Sequence, residues 1–318
     1  MPVSAAVCQA LLLTPEYRDY VWGGSRLRPG HVPTAEAWVI YEGDRIASGA
    51  LAGQTLAEAA AAYGQALLGR RAVQRTGTRF PVLIKLVDCA QWLSLQVHPN
   101  DEQAARLEGP GQFGKTEVWH FIEAEPGAET LCGLRLGMTR ANLEQAIRRG
   151  TILDEMQRLM VHAGDTILLK PGMIHALGPG LLVYEVQQTS DITYRVFDWN
   201  RPATQGRKLH IEQALAVTDV NATAQIIPYP PHADGDQREL VACSYFTLQL
   251  LAGHTNSISL DTDGESFHAL TLVEGGIQVK GAGWQLELDR LESLVVPAAC
   301  GSYQIRPRGP FRALKASV

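Results

Sequence analysis

The hydrophobic and polar positions of this chain form short apolar runs separated by turn residues, a pattern that is typical of β-strands. Residues 80–98 hold two such runs, F-P-V-L-I-K-L-V-D and W-L-S-L-Q-V-H, with a break near 89–91. Similar runs with glycine turns continue to the C-terminus, as in T-L-V-E-G-G-I-Q-V-K-G at 271–281. Short β-branched and apolar runs bounded by turn residues predict strands. We therefore expect a mainly β protein.

Two segments have the apolar spacing of helices instead, and they are 55–69 and 139–160. Thr139 is a candidate N-cap, because its hydroxyl can accept a free backbone N–H of the first turn. The apolar stripe of the second segment is Leu143, Ile147, Ile152, Met156 and Leu159. We expect this segment to be a small helical insertion into a β-barrel.

The apolar pattern weakens at 221–236, where three prolines interrupt the sequence N-A-T-A-Q-I-I-P-Y-P-P-H-A-D-G-D. Clusters of proline, glycine and small polar residues mark loops and linkers. We predict a catalytic domain over 1–220, a linker over 221–236 and a C-terminal β domain over 237–318.

Composition narrows the classes of function. The net charge is −5 and charged residues make up 19% of the chain, with no basic block, which argues against nucleic acid and membrane surfaces as partners. The five cysteines are widely spaced without a C-x-x-C, which is typical of reduced thiols in a cytoplasm. No apolar run approaches the roughly 18–20 residues that span a bilayer, and no lysine or arginine precedes the apolar N-terminal stretch. We expect a soluble cytoplasmic protein.

Candidate chemistry begins with L-S-L-Q-V-H-P-N at 93–100. Alternate side chains of a strand share a face, so Ser94, Gln96 and His98 point one way, while Leu95 and Val97 point towards the core. A strand with these two faces is expected to line a polar cavity.

Two further segments offer side chains of the same kind. In G-K-T-E-V-W-H at 114–120, Lys115 and Glu117 share a face, and K-P-G-M-I-H-A-L at 170–177 adds His175. Two imidazoles, one carboxylate and the Gln96 amide oxygen would make a zinc shell. Each residue taken alone could equally be an ordinary polar residue with a hydrogen-bonded partner. A shared metal would remove the cost of burying several unpaired polar groups, about 1–3 kcal/mol each.

These segments, followed by D-I-T-Y-R-V-F-D-W at 191–199, resemble the type I phosphomannose isomerases in order, spacing and content. Y-V-W-G-G at 20–24, E-A-W at 36–38 and I-A-S-G-A-L-A-G-Q-T-L-A-E at 46–58 also match that family. The resemblance covers about residues 10–318 and is specific to the short bacterial form, which lacks the large helical domain of the longer enzymes.

The resemblance implies two cupin-like, jelly-roll β-barrels and a cytoplasmic enzyme of carbohydrate metabolism. It implies one Zn²⁺ per chain, a small hexose phosphate substrate, and interconversion of mannose 6-phosphate and fructose 6-phosphate through a cis-enediol intermediate. The roles that it implies are as follows: Gln96, His98, Glu117 and His175 as zinc ligands; Lys115 and Arg195 as catalytic residues; and Ser94 and Asp191 as substrate-binding residues.

The proton-transfer base stays open at this point. A lysine or carboxylate tuned towards neutrality can move a proton between C1 and C2, and Lys115 has the position for it. A zinc-bound water or another group would serve as well. Arg195 suits charge on the phosphate or the enediolate, because its planar guanidinium stays protonated.

The second barrel is expected to hold no metal. D-R-L-E-S-L-V-V-P-A-A-C-G-S-Y at 289–303 looks like the strand–turn unit that carries His175, but it has no histidine. His254 and His268 lie elsewhere without a matching Q-x-H or K-x-E.

Two other functions compete with the isomerase. Another cupin metalloenzyme acting on sugars would usually present H-x-H where this chain has Gln96-x-His98. A non-catalytic carbohydrate-sensing cupin would be expected to have lost Lys115, Glu117 or Arg195, and all three are present.

Overall fold

The structure is a computed structural model that describes residues 5–30, 33–202, 207–229 and 232–318. Residues 1–4, 31–32 and 203–206 of the predicted first domain lie outside the described residues, as do Pro230 and Pro231 of the predicted linker. No helix among the described residues is long and apolar enough to cross a membrane.

Strands make up most of the regular structure, and the predicted mainly β class is confirmed. In chain order they are β1 (Leu11–Thr14), β2 (Glu16–Arg18), β3 (Glu36–Ile40), β4 (Arg45–Ile46), β5 (Val82–Cys89), β6 (Leu95–Val97), β7 (Glu117–Ala124), β8 (Glu129–Leu134), β9 (Met156–Met160), β10 (Thr166–Leu169), β11 (His175–Leu177), β12 (Leu181–Gln188), β13 (Tyr194–Phe197), β14 (Ile226–Ile227), β15 (Asp236–Ala242), β16 (Thr247–Gly253), β17 (Ile258–Asp261), β18 (His268–Glu274), β19 (Gly276–Gly281), β20 (Trp284–Asp289), β21 (Ser293–Val296), β22 (Ser302–Pro307) and β23 (Phe311–Ser317).

The helices are short. They are α1 (Leu56–Tyr63), α2 (Gln65–Leu68), α3 (Arg70–Thr76), α4 (Asp101–Glu108), α5 (Arg140–Arg149) and α6 (Ile211–Val217), with 3-10 turns at Ala5–Val7, Ile152–Glu155 and Ala298–Cys300.

Four antiparallel sheets carry the strands. Two have seven strands each, in the orders β14-β10-β7-β12-β5-β3-β2 and β15-β16-β23-β18-β21-β1-β4. The others have the orders β13-β6-β11-β8-β9 and β17-β22-β19-β20.

The chain divides into two compact units. Unit 1 consists of Met1–Glu16, Trp38–Ile84 and Pro230–Val318, and unit 2 consists of Tyr17–Ala37 and Lys85–Tyr229. The predicted domain boundaries at 220 and 236 stay a prediction.

The core of unit 2 explains how its strands present polar side chains. Leu95 and Val97 of β6 are fully buried in an apolar cluster that also holds Ala176 of β11 and Val196 of β13. Gln96 lies between the two buried residues of β6 and therefore points to the opposite face of its sheet. The two faces predicted for this strand are thus present.

The predicted helix over 139–160 is correct only in its first half. α5 ends at Arg149, where Gly150 takes a left-handed conformation (φ 72°) and donates its N–H to carbonyls of the last turn. Met156 and Leu159 lie on β9 instead, opposite Leu134 and Thr130 of β8. The three-residue spacing of Met156 and Leu159 fits a helix, but their pairing with β8 places them on a strand.

The predicted N-cap gives a test of this helix. Thr139 Oγ1 accepts the backbone N–H of Asn142 at 3.2 Å. We expect Thr139→Ala to lower the free energy of unfolding by about 1 kcal/mol, because that N–H loses its acceptor. Thr139→Ser keeps the acceptor and should unfold in urea within about 0.5 kcal/mol of the parent protein. Equal losses in the two variants would show that the cap contributes nothing.

Candidate active site

One row across the β13-β6-β11 sheet brings together three of the predicted site residues. Gln96 lies opposite Arg195 on one side and opposite His175 on the other. Directly opposed residues of antiparallel strands share a face. An amide, a guanidinium and an imidazole therefore project from the same surface.

The two remaining predicted ligands lie at the ends of two strands. His98 directly follows β6, and Glu117 is the first residue of β7. His98, Glu117 and His175 are almost completely buried, and their possible ligand atoms all lie within 4.8 Å of one another. Within the described ranges, no other group of three or more His, Cys, Asp or Glu is arranged to hold a metal ion.

Backbone carbonyls fix how both imidazoles present their nitrogens. His98 Nδ1 lies 2.8 Å from the Ile192 carbonyl oxygen, and His175 Nδ1 lies 2.9 Å from that of Met173. A carbonyl oxygen only accepts hydrogen bonds, so each Nδ1 carries the hydrogen. Each Nε2 is then left with a free lone pair, as in metal-binding histidines held by a backbone carbonyl.

Those lone pairs point at a carboxylate, which is itself an acceptor. His98 Nε2 lies 3.5 Å from Glu117 Oε2, and His175 Nε2 lies 3.2 Å from Glu117 Oε1. His98 Nε2 and Glu117 Oε1 are buried without a hydrogen-bond partner. Glu117 Oε2 has one charged neighbour, Lys115 Nζ at 3.0 Å. Acceptors that face one another in a buried site need a cation between them. The donor set of two imidazoles and one carboxylate therefore fits a divalent metal.

Electrostatics keep the residues in the forms that bind a metal. Burial, helped by the charge of Lys115, holds the pKa of His98 well below its usual range. Burial raises the pKa of Glu117, but Lys115, His98 and His175 outweigh it and the pKa is lowered. A neutral imidazole and an ionised carboxylate are the forms that ligate.

Lys115, Ser94 and Gln96 also lie in this cluster. Lys115 is buried with its Nζ 3.0 Å from Glu117 Oε2. The Gln96 amide presents its Nε2 to His175 Nε2 at 3.5 Å, while its Oε1 accepts from Ser94 Oγ at 3.4 Å. Gln96 is thus adjacent to the cluster, and its role as an amide-oxygen ligand stays a prediction.

Arg195 and Asp191 are more accessible than the ligand cluster. Arg195 is half-buried, and burial together with Arg207 lowers its pKa. Its Nε has no hydrogen-bond partner among the described residues. Asp191 has a 67% exposed side chain, and its Oδ1 lies 3.8 Å from Lys85 Nζ.

Lys85 and Glu185 belong to the site but were not predicted. Lys85 Nζ is buried 3.4 Å from Glu185 Oε1 and 3.8 Å from Glu36 Oε2. Burial acts to lower the pKa of Lys85, but Glu36, Glu185 and Asp191 outweigh it and the pKa is raised.

Glu185 connects that lysine to the ligand cluster. It accepts the Trp119 indole N–H at 2.9 Å, and Trp119 meets His175 edge to face. Burial, together with the charge of Glu117, raises the pKa of Glu185. A charged residue inside an apolar strand, as in V-L-I-K-L-V and L-V-Y-E-V, was the sequence signal for Lys85 and Glu185.

Arg207 is a third residue that the sequence did not indicate. It donates to Ser94 Oγ at 3.2 Å, and its guanidinium lies over the Tyr20 ring, 5.4 Å from the centroid. The sequence around it, R-P-A-T-Q-G-R-K at 201–208, has neither helix nor strand periodicity, so no local pattern marks Arg207.

Comparisons with known proteins show which family the chain resembles. A sequence profile described as phosphomannose isomerase type I, catalytic domain, matches residues 11–113. Mannose-6-phosphate isomerase ManA of Bacillus subtilis is 30% identical over 93% of this chain and 96% of its own length. Mannose-6-phosphate isomerase of Streptococcus mutans is 35% identical over 76% of this chain and 78% of its own length.

Solved structures show the same fold. The crystal structure of mannose 6-phosphate isomerase from Bacillus subtilis has a TM-score of 0.85 and 27% identity, covering 97% of this chain and 99% of that one. A phosphomannose isomerase variant from Salmonella typhimurium has a TM-score of 0.75 at 17% identity, covering 96% and 98%. The shared architecture is the cupin fold of sugar-phosphate isomerases. The chain belongs to the type I phosphomannose isomerase family.

This membership confirms the predicted family and enzyme class. The candidate metal-binding cluster of His98, Glu117 and His175 is consistent with a bound metal ion. That this ion is zinc stays a prediction. The individual roles of the site residues stay predictions.

Removing one imidazole tests the metal centre. We expect the purified protein to hold about one divalent ion per chain and His175→Ala to hold less than about a tenth of that, because two protein ligands of three bind weakly. His254→Ala changes an exposed histidine and should keep its metal. Metal analysis by mass spectrometry reads both variants, and full occupancy in His175→Ala would contradict the site.

Proposed function

We propose that this protein interconverts mannose 6-phosphate and fructose 6-phosphate at a zinc site held by His98, Glu117 and His175, with Gln96 completing the shell. The observation that carries the proposal is the convergence of imidazole and carboxylate lone pairs in a buried site. Family membership supplies the reaction, since the Bacillus subtilis and Streptococcus mutans relatives are named mannose-6-phosphate isomerases.

The reaction requires removal of a weakly acidic C–H hydrogen next to a carbonyl. A bound zinc ion would supply Lewis-acid stabilisation of the negative charge that develops on the substrate oxygens. The protein residues would bind the sugar, exclude water and move the proton between C1 and C2 through a cis-enediol.

Lys115 is the proposed proton carrier. Its Nζ is buried beside the ligand cluster, 3.0 Å from Glu117 Oε2, and a positioned acid–base group of this kind lowers the barrier for proton transfer. Lys85 is the other buried lysine of unit 2, but the carboxylates around it raise its pKa and oppose loss of its proton. We therefore assign Lys85 to electrostatic organisation of Glu185 and Asp191.

The sugar phosphate is proposed to lie where Ser94, Arg195 and Arg207 meet. Arg207 already donates to Ser94 Oγ, and the proximity of Arg207 contributes to lowering the pKa of Arg195. Two guanidinium groups held near one another favour an anion, and their planar forks match phosphate oxygens. Asp191, on the more exposed side, is available to a sugar hydroxyl.

An assay of the purified, metal-loaded protein tests the reaction. Mannose 6-phosphate should be converted to fructose 6-phosphate, detected through a coupled glucose-6-phosphate dehydrogenase reaction, and a chelator should abolish turnover. A protein that binds hexose phosphates without turnover would instead be a sensing cupin. Turnover of a different sugar substrate alone would identify another cupin enzyme.

Lys115 and Arg195 separate metal binding from chemistry. Neither is a proposed ligand, so Lys115→Met and Arg195→Ala should keep about one metal per chain while kcat falls by about 10²–10⁴-fold. Lys85→Met provides the comparison. If metal is retained in both lysine variants and kcat falls further in Lys85→Met than in Lys115→Met, the proton carrier is Lys85. Normal turnover in Lys115→Met and Arg195→Ala would show that both residues have structural roles only.

A further inference from the structure

The strand pairing of unit 1 repeats that of unit 2 around the metal-binding strand. In unit 2, Glu117 begins β7 and faces Leu169, the last residue of β10. In unit 1, His268 begins β18 and faces Val296, the last residue of β21. Both β10 and β21 have four residues. His268 therefore occupies in unit 1 the position that Glu117 occupies in unit 2.

The repeat extends one step further along the same strands. Two residues after Glu117, Trp119 faces Glu185 on the next strand. Two residues after His268, Leu270 faces Lys315 on the next strand. Lys315 is thus the counterpart of Glu185. Where unit 2 has the carboxylates of Glu117 and Glu185, unit 1 has the imidazole of His268 and the amine of Lys315.

Lys315 has no charge partner. The residue is only 7% exposed, and it shares a face with Leu270, which is fully buried in the core of unit 1. No ion pair or hydrogen bond joins its ammonium group to any described residue. Burial alone lowers the pKa of Lys315 to about 8. The indole that satisfies Glu185 has its counterpart in Leu270, which offers no polar atom.

A second polar group lies beside it. His268 Nδ1 and the Tyr303 hydroxyl are 2.8 Å apart, and burial with the nearby charge of Lys315 lowers the pKa of His268 to about 3. The neutral pair has two hydrogens and uses one between its members. The other, on His268 Nε2 or the Tyr303 oxygen, stays available to an acceptor. Asp261 influences His268, but its carboxylate is held by Ser302 and the Asp263 N–H.

We propose that the interior of unit 1 binds a small inorganic anion, such as a halide or phosphate, between Lys315 and the His268–Tyr303 pair. An ammonium on a largely buried side chain with no ion-pair partner is only partly hydrated, and an anion offsets that cost where a carboxylate is missing. The two units then use equivalent strand positions for opposite charges. A cation binds where carboxylate and imidazole lone pairs converge, and an anion binds where the largely buried Lys315 and a neutral donor lie on one face of a sheet.

Thermal unfolding of the full chain in sodium bromide and in sodium phosphate, each at constant ionic strength, tests the proposal. The Arg195→Ala background weakens the proposed phosphate site of unit 2, because it removes one of the two guanidinium groups there. We expect the midpoint to rise by roughly 2–4 °C at saturating anion, because the anion binds only the folded protein. Lys315→Met should abolish the rise, while Lys280→Met, which removes an exposed lysine of β19, should keep it.

Two further measurements cover the case in which Lys315→Met folds poorly. Lys315→Arg retains the charge and should retain the anion-dependent rise. Anomalous scattering from bromide-soaked crystals of the parent protein should place an ion beside Lys315. Lys315→Met should keep kcat within about two-fold, since the proposed catalytic residues all lie in unit 2. An equal rise in Lys315→Met and the parent, or no bromide near Lys315, would overturn the proposal.

Discussion

The structure of the candidate site depends on one constraint: two imidazole nitrogens and a carboxylate, all acceptors, face one another away from water. Carbonyls of Ile192 and Met173 hold the Nδ1 hydrogens of His98 and His175 and leave each Nε2 directed at Glu117. The facing lone pairs repel one another, so the strands that impose this arrangement favour binding of a metal ion. The buried negative charge of Glu117 also accounts for the position of Lys115, whose ammonium group offsets part of that charge.

The same constraint accounts for the contrast between the two units. Equivalent positions on equivalent strands carry Glu117 and Glu185 in unit 2 but His268 and Lys315 in unit 1. A shared strand order therefore does not impose a shared ligand. The local charge decides whether the interior of such a unit attracts a cation, and within the described residues the metal-type cluster occurs in unit 2.

Much of the fold and of the site could be predicted because the relevant physics is local. The alternation around Gln96 shows which face of β6 is buried, and the hydroxyl of Thr139 begins α5 as expected. The second half of the predicted helix was wrong because the three-residue spacing of Met156 and Leu159 fits a helix, although these residues lie on β9. These residues form a strand because they pair with β8, a contact that the local sequence does not show.

The sequence by itself determined the mainly β class, the family and the four candidate ligands, since alternation and motif order are written along the chain. Only the tertiary structure decided which buried charges meet. Lys85 is far in sequence from Glu185, yet strand pairing brings their side chains to 3.4 Å. Arg207 reaches Ser94 across more than a hundred residues. Such contacts depend on register between strands, and register is set by the packing of the whole sheet rather than by any one segment.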